Sequence, residues 1–381
     1  MKKFLRFGSY VLVAVLTCAL TLVVSGNWQR IAPQSKLMEL AFLLEQYYAD
    51  DVDMPKLEDA AANAMVEALP DRWSYYISAD EFASYQESKD NAYVGVGITI
   101  TVAEQGYTII KVTEGGPAEE AGILAGDILI KAGGVSLAGA DTETGRELIQ
   151  GKEGTTVELV VLRGETEHTF TVERRSIRNK VATATMLEGN IGLVTILNFN
   201  SHCAEESIAA VDELLEQGVT GLIFDVRNNG GGYTKEMVTL LDYLLPEGPL
   251  FRTKDYADKE NVEYSDASCI DVPMAVLVNG NSYSAAEFFA AALEEYGAAI
   301  VVGQQTSGKG FYQITYSLSD GSAVAISCGR YYTPHGISLE GVGLTPEVYV
   351  DVDNETANAI YAGTLDPMED PQILAAIEAL K

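Results

Sequence analysis

The sequence predicts an α/β protein with an N-terminal helical segment and a separate block of short strands inserted ahead of the main core. Three observations predict it. Leucine and alanine recur at helical spacing before residue 90, glycine-punctuated short runs follow from about 92 to 176, and strands alternate with helices from 177 onward. A chain of 381 residues with 47% apolar content can bury a sizeable core and form two or three domains. The boundaries read as 1–26, 27–91, 92–176 and 177–381.

Lys2, Lys3 and Arg6 precede an uncharged run from Phe7 to Val24. Such a layout suits a long signal peptide or a short membrane anchor. No A-x-A cleavage pattern stands near Ser25-Gly26-Asn27, and the run approaches the roughly 20 residues that span a bilayer. The reading is therefore an uncleaved single-pass anchor in the cell membrane. Its basic end stays inside and the rest of the chain is extracytoplasmic; cleavage would instead make the protein secreted.

Leu37, Leu40, Leu43 and Leu44, then Ala60 to Leu69, carry helical periodicity across 27–91. Tyr93 to Ile100 opens the strand block, followed by Ile109 to Val112, Ile128 to Lys131 and Val157 to Arg163. Pro117-Ala118 suits a short helix start, Gly126-Asp127 a turn, and Thr144 to Gln150 a second helix. Beyond 177 come the strand Ile191 to Ile196, the helix Glu205 to Gln217, the strand Val219 to Val226 and the helix Lys235 to Leu245. The strand Met274 to Val278, the helix Ser284 to Glu295 and the strand Ala299 to Val302 complete the alternation. An acidic tail from Asp351 ends in an Ala-rich helix able to pack back.

The net charge of −30 opposes binding to nucleic acid, and no polybasic stretch points to anionic lipid. The cysteines are Cys18, Cys203, Cys269 and Cys328. With Cys18 in the apolar run, three remain and show no disulfide framework, and C-x-x-C spacing is lacking, so neither metal nor other cofactor is expected. The sequence is compatible with a homo-oligomer and does not fix how many chains assemble.

The chemistry concentrates in two segments. Asn279-Gly280-Asn281 ends a buried strand, and a helix opens at or near Ser284. Backbone N–H groups and the positive helix end beside that hydroxyl suit an oxyanion, but a hydroxyl needs a base to become a nucleophile. His168, His202 and His335 are all distant in sequence. Lys309, between Gly308 and Gly310, can serve as base if desolvation keeps it neutral, and burial favours that form. Gln313 lies four residues on, on the same face if the segment is a strand, and a neutral amide can orient an amine without charging it. Singly, a serine at a helix start is an ordinary cap and a lysine between glycines an ordinary turn residue. Gly303 to Gly310 nearly spells a phosphate-binding loop, but Gly310 replaces the required hydroxyl and strand follows where a helix is needed.

Taken together, these segments resemble the C-terminal processing peptidase family of Ser-Lys proteases. The resemblance rests on Ser282-Tyr283-Ser284-Ala285-Ala286-Glu287-Phe288, on Gly308 to Gln313, on Asp225 to Gly232, and on Tyr331 to Gly336 with Gly341 to Glu347. Ala286 stands where the family usually has Ser, and Gly230 where it often has Pro. The resemblance implies a crotonase-like protease core and a serine endopeptidase. Ser284 would be its nucleophile, Lys309 its general base and Gln313 the orienter of Lys309. The N–H of Ala285 and of Gly231 or Gly232 would hold the oxyanion, and Asp225 and Arg227 would be structural ion partners.

The strand block, through P-A-x-x-A-G-x-x-x-G-D from Pro117 to Asp127, resembles a PDZ domain, a small β-barrel with two helices. Gly95, Val96, Gly97 and Ile98 would then receive a peptide's C-terminal carboxylate by strand addition, with apolar C-termini favoured by Val94, Val96 and Ile98. The rival reading is a membrane-tethered PDZ adaptor whose protease fold is inactive.

Overall fold

The structure, a computed structural model, describes residues 36–381. The proposed anchor and the first part of the helical segment lie outside the described residues. The chain divides into two compact units, residues 1–72 and 73–381. In the first, α1 (Lys36–Tyr47) is followed by α2 (Met54–Glu67), whose N-terminus is capped by the Asp53 carboxylate accepting from Lys56 N–H at 3.2 Å. Among the described residues, no helix is long and apolar enough to cross a membrane.

The second unit opens with β1 (Tyr75–Ile77) and α3 (Ala79–Lys89). The strand departs from the helical reading of 27–91. Its Tyr-Tyr-Ile sequence suits a pleated surface, and it pairs with the later strand at Ala323–Ala325. A two-stranded ribbon, β2 (Ala92–Gly95) with β9 (Arg175–Arg178), then brackets the inserted block, so the chain enters and leaves it side by side.

Within the block, β3 (Ile98–Ala103), β4 (Gly106–Val112), β5 (Ile128–Ala132), β7 (Thr156–Arg163) and β8 (Thr166–Glu173) form one antiparallel sheet, with β6 (Val135–Ser136) beside β5. The helices α4 (Pro117–Ala121) and α5 (Thr142–Ile149) close it over Tyr107, Ile109, Leu129, Leu159 and Val161. The Arg163 guanidinium hydrogen-bonds the buried Asp127 carboxylate at 2.7 and 2.8 Å and holds it below the usual carboxylate range.

The main core holds β10 (Ala182–Leu187), β11 (Ile191–Ile196), α6 (Cys203–Glu216), β12 (Gly221–Asp225) and α7 (Thr234–Leu244). The hairpin β13 (Gly248–Asp255) and β14 (Glu260–Ser265) follows, then β15 (Met274–Val278), α8 (Ala285–Glu295) and β16 (Ala299–Gly303). Next come β17 (Phe311–Ser317), β18 (Ala323–Tyr332) and β19 (Val348–Tyr349), then α9 (Asn354–Ala362) and α10 (Pro371–Ala379). One sheet runs β10-β11-β12-β15-β16-β19, parallel except for the β10–β11 pair; the other runs β1-β18-β13-β14 with β17 beside β18.

Helix α8 is buried from Ala285 to Leu293 because it lies between these sheets. Phe289 packs at 5.6 Å on Phe224 of β12, and Phe288 at 5.4 Å on Phe251 of β13. Each buried phenylalanine contributes roughly 1.5–3 kcal/mol. The N-terminus of α8 therefore opens beside the C-terminal ends of β12 and β15, where loops of a parallel sheet build sites. On the far face, Ile373 and Ala376 of α10 pack with Ile223, Ala275, Leu277 and Val302, so the tail does fold back.

Candidate active site

Three loops meet at the start of α8. The first, Asn279 to Ser284, links β15 to the helix. Its last residue, Ser284, adopts φ 59° and ψ −127°, a conformation costly for a non-glycine residue. Surrounding bonds hold it there. Ser282 Oγ donates to Val226 carbonyl at 2.7 Å, and Tyr283 N–H donates to Asn229 carbonyl at 3.2 Å. Asn228 N–H donates to Asn279 Oδ1 and the Asn279 amide returns a bond to Asn228 Oδ1, both at 3.0 Å. The second loop, Val226 to Tyr233, is thereby stitched to the first.

Glycine is required where those loops touch. A Cβ on Gly231, at φ 81°, would lie 2.9 Å from both the Ala285 nitrogen and Ser284 Cβ. A Cβ on Gly232 would strike the Phe199 carbonyl. The backbone of the second loop thus approaches the N–H end of α8 closely.

Glu287 ties in the third loop, residues 304–310. This carboxylate is fully buried. Its Oε2 accepts from Ser284 N–H at 2.9 Å and Lys309 N–H at 2.8 Å. Its Oε1 accepts from Thr306 Oγ1 at 2.5 Å and Gly308 N–H at 2.7 Å. One side chain therefore anchors the backbone of both residues that the sequence singles out, 25 positions apart. Sequence reasoning passed over Glu287, although Ser284-x-x-Glu287 has capping-box spacing, which was the available signal.

Ser284, Lys309, Gln313, Gly230 and Gly232 line a single cleft of about 500 Å³, whose other wall carries Tyr75, Phe82 and Tyr85 from β1 and α3. Ser284 is 6% exposed and Lys309 half-buried. Lys309 and Gln313 do not share a strand face, contrary to the expectation from their spacing. Strand β17 begins only at Phe311, and its pairing with β18 shifts register between Tyr312 and Gln313, so simple alternation does not relate residues 309 and 313. The bulge still turns Gln313 into the cleft, where its amide nitrogen donates to Ser327 Oγ at 3.0 Å and Phe311 carbonyl at 3.2 Å. Of the two glycines, Gly231 donates its N–H to Asn229 Oδ1 at 2.9 Å, whereas Gly232 lines the cleft.

No histidine lines this cleft. His168 stacks on Phe170 in β8, His202 contacts Arg178 and Glu205, and His335 contacts Glu295. Burial pushes the Cys203 thiol up to about 12, which leaves it unreactive.

Asp225 and Arg227 are buried partners. Arg227 also donates through Nη1 to Asp370 at 2.7 Å and Gln372 at 2.9 Å, both at the start of α10. Burial opposes the Arg227 charge, but Asp225 and Asp370 outweigh it and hold its pKa above the ordinary value. The second loop is thus clasped to the chain's C-terminal helix.

A second groove, about 320 Å³, lies in the inserted block. Gly95, Val96, Gly97 and Ile98 all line it, facing Arg146 and Ile149 of α5. Gly97 turns at φ 81°, and the Val96 carbonyl accepts from Ala118 N–H at 2.9 Å, which shapes the loop at the groove's end.

Residues 190–350 match the peptidase family S41 model and residues 94–173 the PDZ domain model. Carboxy-terminal processing protease CtpA of Bacillus subtilis (strain 168) is 30% identical over 365 residues, covering 92% of this chain and 78% of that protein. A probable CtpA-like serine protease of Staphylococcus haemolyticus (strain JCSC1435) is 31% identical over 355 residues, covering 91% and 71%. Among solved structures, the photosystem II D1 C-terminal processing protease matches 89% of this chain and 93% of its own at 27% identity, with a TM-score of 0.49.

Proposed function

Because this chain belongs to peptidase family S41 and is a serine peptidase of the carboxy-terminal processing type with a PDZ domain, we propose that it cleaves peptides with a Ser284–Lys309 pair. The Glu287 carboxylate, which joins the backbone of the two residues beside one cleft, is the observation that carries this reading.

Neutral Lys309 takes the Ser284 proton as Ser284 Oγ attacks the scissile carbonyl. The developing oxyanion is received by the N–H of Ala285, the first residue of α8, and by that of Gly232. Each such donor supplies about 3–4 kcal/mol of transition-state stabilisation. Gly232 is preferred because Gly231 already donates to Asn229. The Lys309 ammonium then protonates the leaving amine, and water hydrolyses the acyl-enzyme. Gln313 directs its amide nitrogen to Ser327, so its carbonyl oxygen is the end that holds the Lys309 amine in line.

Substrates are selected through an apolar C-terminus. The peptide adds a strand along β3, and the loop from Gly95 to Ile98 receives its carboxylate. Residues 1–26 place the catalytic unit outside the cytoplasm as a membrane anchor. Ser284→Ala should abolish cleavage of β-casein and leave the melting temperature unchanged, since only a hydroxyl is removed. Wild-type cleavage by that variant would remove Ser284 from the mechanism, and a wild type that binds C-terminal peptides without cleaving would mark an adaptor.

A further inference from the structure

Two aromatic rings from distant parts of the chain flank Lys309. Its Nζ lies 5.1 Å from the Trp73 ring centroid and 5.8 Å from that of Tyr283. The two rings stack, with centroids 6.2 Å apart and planes inclined by 25°. Trp73 is fixed in place, because its indole N–H donates to Glu340 Oε1 at 3.3 Å. Glu340 Oε2 accepts from the N–H of Gly310, the residue after Lys309, at 2.6 Å. One carboxylate thus ties the ring to the loop that carries the amine.

Gly230 lets the Tyr283 ring lie close against the second loop. A Cβ on residue 230 would lie 2.6 Å from the Tyr283 hydroxyl oxygen.

We propose that Trp73 and Tyr283 form an aromatic seat that positions the Lys309 amine and favours its protonated form; this rests on the catalytic role given to Lys309 above. A cation within about 6 Å of an aromatic face is attracted by the ring quadrupole, most strongly by tryptophan. The reaction requires Lys309 to hold a proton between taking it from Ser284 and giving it to the leaving amine. Aromatic faces attract an ammonium more weakly than a carboxylate does, so they can steady the transient charge and still let the amine return to its neutral form. The carboxylates on its own loop, Glu287 and Glu340, bind backbone N–H groups of residues 309 and 310. Among the described residues, the remaining titratable groups lining the cleft are Tyr75, Tyr85, Tyr233, Tyr331, Lys89 and Asp90. Trp73 and Tyr283 are positioning residues in this scheme, acting through Lys309.

The first test is Trp73→Leu, with Trp73→Phe beside it. Loss of the seat should lower kcat about tenfold or more, since small misplacement of a catalytic group is costly. KM should stay within about twofold, because the ring is not asked to bind the peptide. Phenylalanine should restore most of kcat. The second test keeps ring size and changes only its electron density, by placing mono-, di- and tetrafluorinated tryptophan at position 73. Each fluorine weakens stabilisation of the ammonium, so Lys309 should lose its proton at lower pH. The acid limb of kcat/KM should move to lower pH in step with fluorination. An acid limb that stays fixed across the series, or a leucine variant with wild-type kcat, would overturn the seat. Labelling of Ser284 by a fluorophosphonate, measured on the same preparations, separates the two levels. Failure to label the wild type would overturn the nucleophile reading, whereas normal labelling with a fluorine-independent limb would overturn the seat alone.

Discussion

Glu287 and Arg227 are both buried charges that organise loops of the cleft, yet their surroundings are opposite. Glu287 is surrounded by three backbone N–H groups and one hydroxyl. Arg227 is surrounded by two carboxylates and a side-chain amide. The difference follows from what each must be near. A cation placed to pair Glu287 would stand beside Ser284 and Lys309 and compete with the chemistry proposed there. Neutral donors satisfy the carboxylate and add no charge. Arg227 points away to the start of α10, where an ion cluster can lock chain segments 143 residues apart. A buried cluster of that kind is costly to break rather than strongly stabilising to make.

The contrast can be broken from either side. Arg227→Ala should have the largest effect on stability, leaving Asp225 and Asp370 buried without their cation. A loss of about 3–5 kcal/mol is expected, read from the urea midpoint at unchanged slope. The folded fraction should keep much of its kcat. Glu287→Gln should cost less stability, about 2–3 kcal/mol, since an amide of similar shape keeps one acceptor oxygen and turns two donors toward N–H groups. Its kcat should nevertheless fall by about 10²-fold, because Ser284 and Lys309 lose their common anchor. If the two variants lost kcat equally, the division between a chemical knot and a structural one would fail. Gly230→Ala should be the mildest, about 1 kcal/mol by thermal melting, because the group its Cβ meets is the movable end of Tyr283.

Much of this was legible in the sequence, but unevenly. Strands β11 and β15 fall where hydrophobic alternation placed them, but the hairpin β13–β14 between Leu245 and Met274 went unread because its strands are mixed in polarity and only partly buried. The Asp225–Arg227 pair could be read locally, whereas Asp370 and Gln372 could not, since nothing in local pattern joins residues so far apart. Glu287 showed capping-box spacing to Ser284, but its bonds to Thr306, Gly308 and Lys309 exist only once the loops meet. Trp73 fell within the segment 27–91 read as helical, and no role was given to it. Its position over Lys309 depends on β1 pairing with β18, a tertiary contact that overrides the helical reading of that stretch. The bulge before Gln313 was hidden because period-two reasoning assumes a regular strand.

The central claim is that Lys309 acts as a base, which only a neutral amine can do. The most direct measurement compares kcat/KM against pH for wild type and Lys309→Arg. Arginine keeps the positive charge and similar reach but does not deprotonate at working pH. The wild type should gain activity as pH rises and Lys309 loses its proton, and Lys309→Arg should be inactive across the range. Substantial activity in Lys309→Arg with the wild-type pH profile would contradict the account and make Lys309 an electrostatic or structural residue.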